Sequence, residues 1–153
     1  MTLCRTARAD HTRCMEPTNK ATTQLQESEC WALVRSVPVG RLAVVVDGQP
    51  DIFPVNHVVD QGTVVIRTGS GTKHTAAGHR PVAFEVDGYD AVRSQAWSVV
   101  IKGTARTVDQ LHEVVDALQL PLFPWQEGAK PWFLRIEPDS VSGRRVQVSG
   151  PQS

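Results

Sequence analysis

RLAVVVDGQPDIFPVNHVVDQGTVVIRT, residues 41–68, holds three runs rich in β-branched residues, separated by two short clusters of Asp, Gly, Gln and Pro. The pattern predicts three strands, RLAVVV, DIFPVNHVV and TVVIRT, joined by the turns DGQP and DQG. Turns this short leave no room for the crossover that parallel pairing requires, so the strands form an antiparallel meander. Pro54 lies inside the second strand and has no N–H to give a ladder, which marks an edge or a bulge there.

On the N-terminal side, Ser28 reads as a helix N-cap and Glu29 suits a first turn. Cys30, Trp31, Val34 and Val37 share one helical face until Pro38 ends it. Residues 1–24 are polar and aperiodic, the composition of a disordered leader. A single domain is expected over 25–148, followed by a short tail at 149–153.

On the C-terminal side, SGTKHTAAGHR has room for one helical turn. PVAFEVDGYD and AWSVVIKGTARTV are further strands, with Gly103 marking a bend in the second. DQLHEVVDAL, residues 109–118, predicts a second helix capped by Asp109. WFLRIEPDSVSGRRVQV then predicts a strand, a turn and a last strand. Six or so antiparallel strands with a few short helices make a mainly β protein, and a small barrel, because closure removes the sheet edges that invite aggregation.

The composition narrows the function. Sixteen Lys and Arg balance sixteen Asp and Glu, so the basic footprint of a nucleic-acid binder is absent and any anion must be held locally. No apolar run reaches the roughly 18 residues of a membrane span, and the N-terminus has no apolar signal segment, so no membrane partner and a cytoplasmic location are expected. Cys4, Cys14 and Cys30 form no metal-ligand spacing or disulfide framework, and no metal is expected.

VVIRTGSGTKH, residues 64–74, invites a phosphate-loop reading, but Thr72 separates Gly71 from Lys73 and His74 follows, so the Walker A spacing fails. Two readings remain. Arg67 and Lys73, with the hydroxyls of Thr68, Ser70 and Thr72, make a corner able to hold a phosphate, or the stretch is an ordinary solvated turn. His57, His74 and His79 match no metal motif, and no nucleophile with a base can be assembled from local signatures. Glu85 and Asp87 share one face of a strand and read as solvated, so no catalytic residue is assigned.

In order and spacing, CWALVRSVPVGRLAVVVDGQP, IFPVNHVVDQGTVVIRTGSGTKHTAA, RPVAFEVDGYD, AWSVVIKGTART and SVSGRRV resemble the pyridoxamine 5′-phosphate oxidase-like split-barrel proteins. The branch that they resemble most is the small actinobacterial one, related to the nitroimidazole-resistance proteins. The resemblance covers about residues 25–148 and implies a six-stranded antiparallel split β-barrel, FMN-binding and homodimeric, with the cofactor at the subunit interface. It implies that Pro54, Val55 and Asn56 run beside the flavin ring, that Ile66, Arg67 and Thr68 lead to the phosphate, and that Lys73 contacts it. Ser70 and Thr72 join that corner, and Trp97 and Ser98 come from the partner subunit.

The implied function is an FMN-dependent oxidoreductase acting on a small aromatic, quinone or nitro-type substrate. The alternatives are an F420-dependent reductase on the same fold and a non-enzymatic flavin- or haem-binding protein. True pyridoxamine phosphate oxidases carry an arginine- and histidine-bearing C-terminal segment, whereas only QVSGPQS follows SGRRV, so vitamin B6 oxidation is not expected.

Overall fold

The computed structural model describes residues 22–68, 79–110, 113, 116–117, 120–121 and 132–148. The elements are β1 (Thr22–Gln24), α1 (Glu27–Ser36), β2 (Val39–Val46), β3 (Gln49–Asp60), β4 (Thr63–Thr68), β5 (Arg80–Asp90), β6 (Gln95–Thr107) and β7 (Trp132–Gln147). The sheet runs β1-β7-β4-β3-β2-β5-β6, and β7 pairs with β6 as well. That extra pairing closes β2 to β7 into the expected six-stranded antiparallel split barrel, with every ladder antiparallel.

The meander of residues 41–68 is present, with tighter turns than the sequence suggested. Asp47 and Gly48 (φ 49° and 74°), like Gln61 and Gly62 (46° and 73°), are left-handed pairs. They leave Val46 opposite Gln49 and Asp60 opposite Thr63. Two consecutive left-handed residues match the twist of a two-residue hairpin, so DGQP and DQG give Gln49, Pro50 and Asp60 back to the strands.

Alternation then sorts the side chains. Val82, Phe84 and Val86 of β5 and Val99, Ile101 and Ala105 of β6 are buried, as are Leu42 and Val44 of β2. Helix α1 joins this core through Cys30 and Val34, both fully buried. Ten residues are too few for a helix to stand alone in water, so burial of that face holds it. It begins two residues earlier than Ser28 would allow: Gln26 is the N-cap, and its backbone N–H donates to Glu29 Oε2 at 3.0 Å. A capping box, with Glu29 reaching back, outweighs the intrinsic preference for serine at that position.

Three further readings meet the structure differently. Thr22–Gln24, placed in the leader by composition, form β1 in register with Val146–Arg144, since backbone pairing does not need apolar side chains. In place of the strand, turn and strand read into WFLRIEPDSVSGRRVQV there is one 16-residue strand with a bulge: Lys102 faces Ser140 while Gly103 faces Pro138, leaving Asp139 unmatched. Proline and a turn-forming aspartate are tolerated there because a bulge frees one residue from the ladder. Of residues 109–118, Glu113, Asp116 and Ala117 are helical, and most of the others lie outside the described residues. The single turn read into SGTKHTAAGHR also falls outside them, apart from His79 and Arg80.

Arg106 ties Glu113 to the barrel, donating to its Oε2 at 3.0 Å and its Oε1 at 2.7 Å, while its Nε donates to Glu137 at 2.7 Å. Gly103 has a steric reason to be glycine, because a Cβ there would run into the Glu137 carbonyl oxygen and lie 3.0 Å from the Pro138 Cα. Backbone cannot yield as a flexible side chain can. Gly103→Ala is expected to cost about 1–3 kcal/mol, read as a lower urea midpoint with an unchanged slope.

Candidate functional site

The site begins where β3 and β4 separate. Their ladder runs from Asp60–Thr63 to His57–Ile66 and ends there. Beyond that point β3 continues against β2, with Asn56 opposite Val39, Val55 opposite Gly40 and Pro54 opposite Arg41. β4 continues against β7, with Arg67 opposite Phe133 and Thr68 opposite Trp132. The two strands exchange each other for different neighbours, and Pro54–Asn56 and Arg67–Thr68 line the place where they diverge.

Alternation decides what each residue can offer. Pro54 is exposed and Asn56 half-buried on one face of β3, whereas Val55 is only 3% exposed and packs in the core. Ile66 is fully buried, so it and Val55 can present main chain to a ligand but not side chain. Arg67 is half-buried and Thr68 is 5% exposed at the end of β4. The chain next runs into residues 69–78, so Ser70, Thr72 and Lys73 lie outside the described residues, as does His74.

Trp97 and Ser98 are not brought to this place by their own chain. On β6 they are separated from β3 by β2 and β5, and from β4 by β7. The Trp97 indole lies across Gly88, where a Cβ would meet its Cζ2 at 2.5 Å and its Nε1 at 2.8 Å. Trp97 also lines a cavity of about 380 Å³ together with Leu33, Arg93 and Arg145.

Two features went unassigned in the sequence. Glu85 and Asp87, read as a solvated face, both hold Arg41, the cross-strand neighbour of Pro54. Arg41 Nε lies 3.1 Å from Glu85 and its guanidinium donates to Asp87 at 2.6 Å. Burial pushes the Glu85 carboxyl above the ordinary carboxylate value despite Arg41 beside it. The sequence signal was available in hindsight, since carboxylates at i and i+2 share a face, but no local pattern states that β2 and its Arg41 pair beside them.

The second is His57, which directly follows Pro54–Asn56. It is 5% exposed, its ring meets Phe84 edge-on at 4.8 Å, and its Nε2 lies 2.9 Å from the Val34 carbonyl oxygen. A carbonyl can only accept, so Nε2 carries the proton and Nδ1 is left buried with a lone pair and no partner. Among the described residues no cluster of three His, Cys, Asp or Glu could hold a metal, and no helix is long and apolar enough to cross a membrane.

A family model described as pyridoxamine 5′-phosphate oxidase matches residues 26–145. The chain belongs to that family. The match spans the barrel from the N-cap of α1 to Arg145 in β7, and the pyridoxamine 5′-phosphate oxidase family reading of the residues stands with it. A FAD-binding protein from Mycobacterium smegmatis is 41% identical and superposes with a TM-score of 0.71 over 80% of this chain and 98% of that one. A FAD-binding protein from Mesorhizobium loti is 26% identical, with a TM-score of 0.66 over 81% of this chain and 97% of that one. An uncharacterized protein of Mycobacterium tuberculosis is 35% identical over 129 residues, covering 80% of this chain and 84% of its own.

Burial lowers the His57 pKa from the ordinary value near 6.5, desolvation outweighing the Val34 bond. The unfolded chain then takes up the proton more readily than the folded one. The stability gained by keeping the ring neutral is complete above about pH 6.5 and is lost as the pH falls below it. Urea melts between about pH 7.5 and 5 should show wild type losing stability more steeply than His57→Gln, which has nothing to titrate; parallel curves would contradict this.

Proposed function

We propose that the protein is a homodimeric flavin-dependent oxidoreductase, acting on a small aromatic, quinone or nitro-type substrate. The observation that carries this reading is the divergence of β3 and β4 within a chain of this family. It puts an exposed proline and a half-buried asparagine on one side and Arg67 with Thr68 on the other. A flat ring is oriented by strand main chain along one edge, and a phosphate by cationic and hydroxyl groups at a strand-to-loop corner. FMN meets both needs, and FAD, bound by the two relatives described above, contains the same half.

In this reading Pro54, Val55 and Asn56 lie along the ring. Ile66, Arg67 and Thr68 lead to the phosphate, which Ser70, Thr72 and Lys73 complete. The flavin, when bound, supplies the capacity to take up and pass on electrons. The residues of this chain supply position, exclusion of water and hydrogen bonds. None of the described side chains is assigned as a proton donor to substrate.

A second chain is part of the proposal because Trp97 and Ser98 cannot reach the site from within the same barrel. The outer face of β2, β3 and β5 supports it. Val45 is 55% exposed and Ile52 63%, and Ala43, Pro50, Pro81 and Ala83 extend the apolar surface around them. An apolar patch of this kind, bordered by the Arg41 ion pairs, suits burial against a copy of itself.

The visible spectrum of the purified protein, followed by titration with FMN, FAD and F420, tests the cofactor. Flavin bands or saturable flavin binding are expected. Preference for F420, a haem Soret band, or no flavin binding at all would replace the reading. Turnover with NAD(P)H and a quinone or nitroaromatic acceptor separates an enzyme from a binder, which should give no rate above free flavin. Lys73→Ala should weaken flavin binding by about 1.5–3 kcal/mol in isothermal titration. Ile52→Glu should shift the light-scattering mass from dimer to monomer and lower flavin affinity with it.

A further inference from the structure

His57 is the C-terminal cap of α1. In an α-helix the Val34 carbonyl would accept the N–H of residue 38, four positions on, but residue 38 is proline and has none. The His57 imidazole fills that position from a different element, with Nε2 2.9 Å from Val34 O. The main chain doubles the link, because the His57 N–H donates to the Pro38 carbonyl oxygen at 3.1 Å.

This double tether is placed where β3 has most need of it. His57 is the last residue of β3 in register with β4, and from Asn56 back to Gln49 the strand has β2 as its ladder neighbour. Side chains alternate along a strand, so fixing the His57 ring in the core fixes Asn56 facing the other way. The arrangement also breaks a local rule, since it leaves Nδ1 of a buried imidazole without a partner. Departures of this kind concentrate at functional sites, where the geometry itself is what is retained.

We propose that His57 is a positioning residue for the cofactor, holding Pro54–Asn56 in the conformation that receives the flavin ring by tethering β3 to the end of α1. The proposal rests on the flavin reading above. Its effect is on preorganisation: a loosened β3 would still fold into the barrel but would present the ring with a mobile edge.

The test uses the full chain and titrations with FMN and FAD, alongside thermal melts. His57→Phe keeps the ring and its packing but removes the donor, and should weaken flavin binding about tenfold. His57→Gln, whose amide can still donate to Val34, should stay within about threefold of wild type. Pro38→Ala returns a backbone N–H that can cap Val34 once Val37, extended here (φ −124°, ψ 139°), joins the helix. The double variant Pro38→Ala with His57→Phe should therefore recover melting temperature while flavin affinity remains low. Recovery of both would make His57 a helix cap and nothing more, overturning the proposal. So would a His57→Phe variant that binds flavin as wild type does, or failure of both His57→Phe and His57→Gln to fold. Absence of flavin binding by wild type would instead remove the functional reading on which the proposal rests.

Discussion

The ladder between β6 and β7 is the constraint on which the rest of this structure depends. Without it the strands would form an open sheet with two exposed edges. With it, β7 pairs β4 on one side and β6 on the other and the barrel is closed. A strand of 16 residues can serve both neighbours only if it bends, and the bulge at Pro138 and Asp139 opposite Gly103 supplies the bend. Gly103 lets the two backbones approach at the bulge, because any side chain there would meet the Glu137 carbonyl. Closure, bend and glycine are one requirement expressed at three residues.

Closure in turn creates the site. A strand has two hydrogen-bonding edges, and in a barrel of strongly twisted strands each edge need not keep the same partner along its length. β3 and β4 are hairpin neighbours near Gln61 and Gly62 but belong to β2 and β7 at their far ends. The place where they part joins residues from two strands, and among the described residues no turn or helix fills it. Proline at position 54 suits it, since a residue with no N–H has nothing to lose where a ladder stops. Helix α1 then braces the same region, through its buried Cys30 and Val34 and through the imidazole that caps its end.

Charge is spent locally in this protein. Arg41 is held by Glu85 and Asp87, Arg106 by Glu113 and Glu137, and Arg135 by Asp60, whose carboxylate accepts from Nη1 at 2.9 Å. These pairs join strands, or a strand and the segment after β6. A neutral chain can still hold an anion if a few cations converge at one corner, which is the role proposed for the end of β4 and the residues that follow it.

The sequence by itself determined the meander, the antiparallel sense and the apolar face of α1, because periodicity and turn chemistry are local properties read over a few positions. It also made the family legible: PVNH, the strand end at Arg67 and the spacing between them resemble its members without any knowledge of contacts. What only the tertiary structure decided were the relations between distant segments. Composition put Thr22–Gln24 in the leader, yet backbone pairing with β7 makes them a strand. WFLRIEPDSVSGRRVQV reads locally as a strand, a turn and a strand, and becomes one bulged strand only because β6 offers a matching irregularity. That Val55 and Ile66 face the core, that Glu85 and Asp87 hold Arg41, and that His57 completes a helix whose own residue 38 cannot, depend on which elements closure brings together. Hydrogen-bond donors and acceptors must be satisfied in the folded chain, and the partner that satisfies them is set by packing rather than by proximity in sequence.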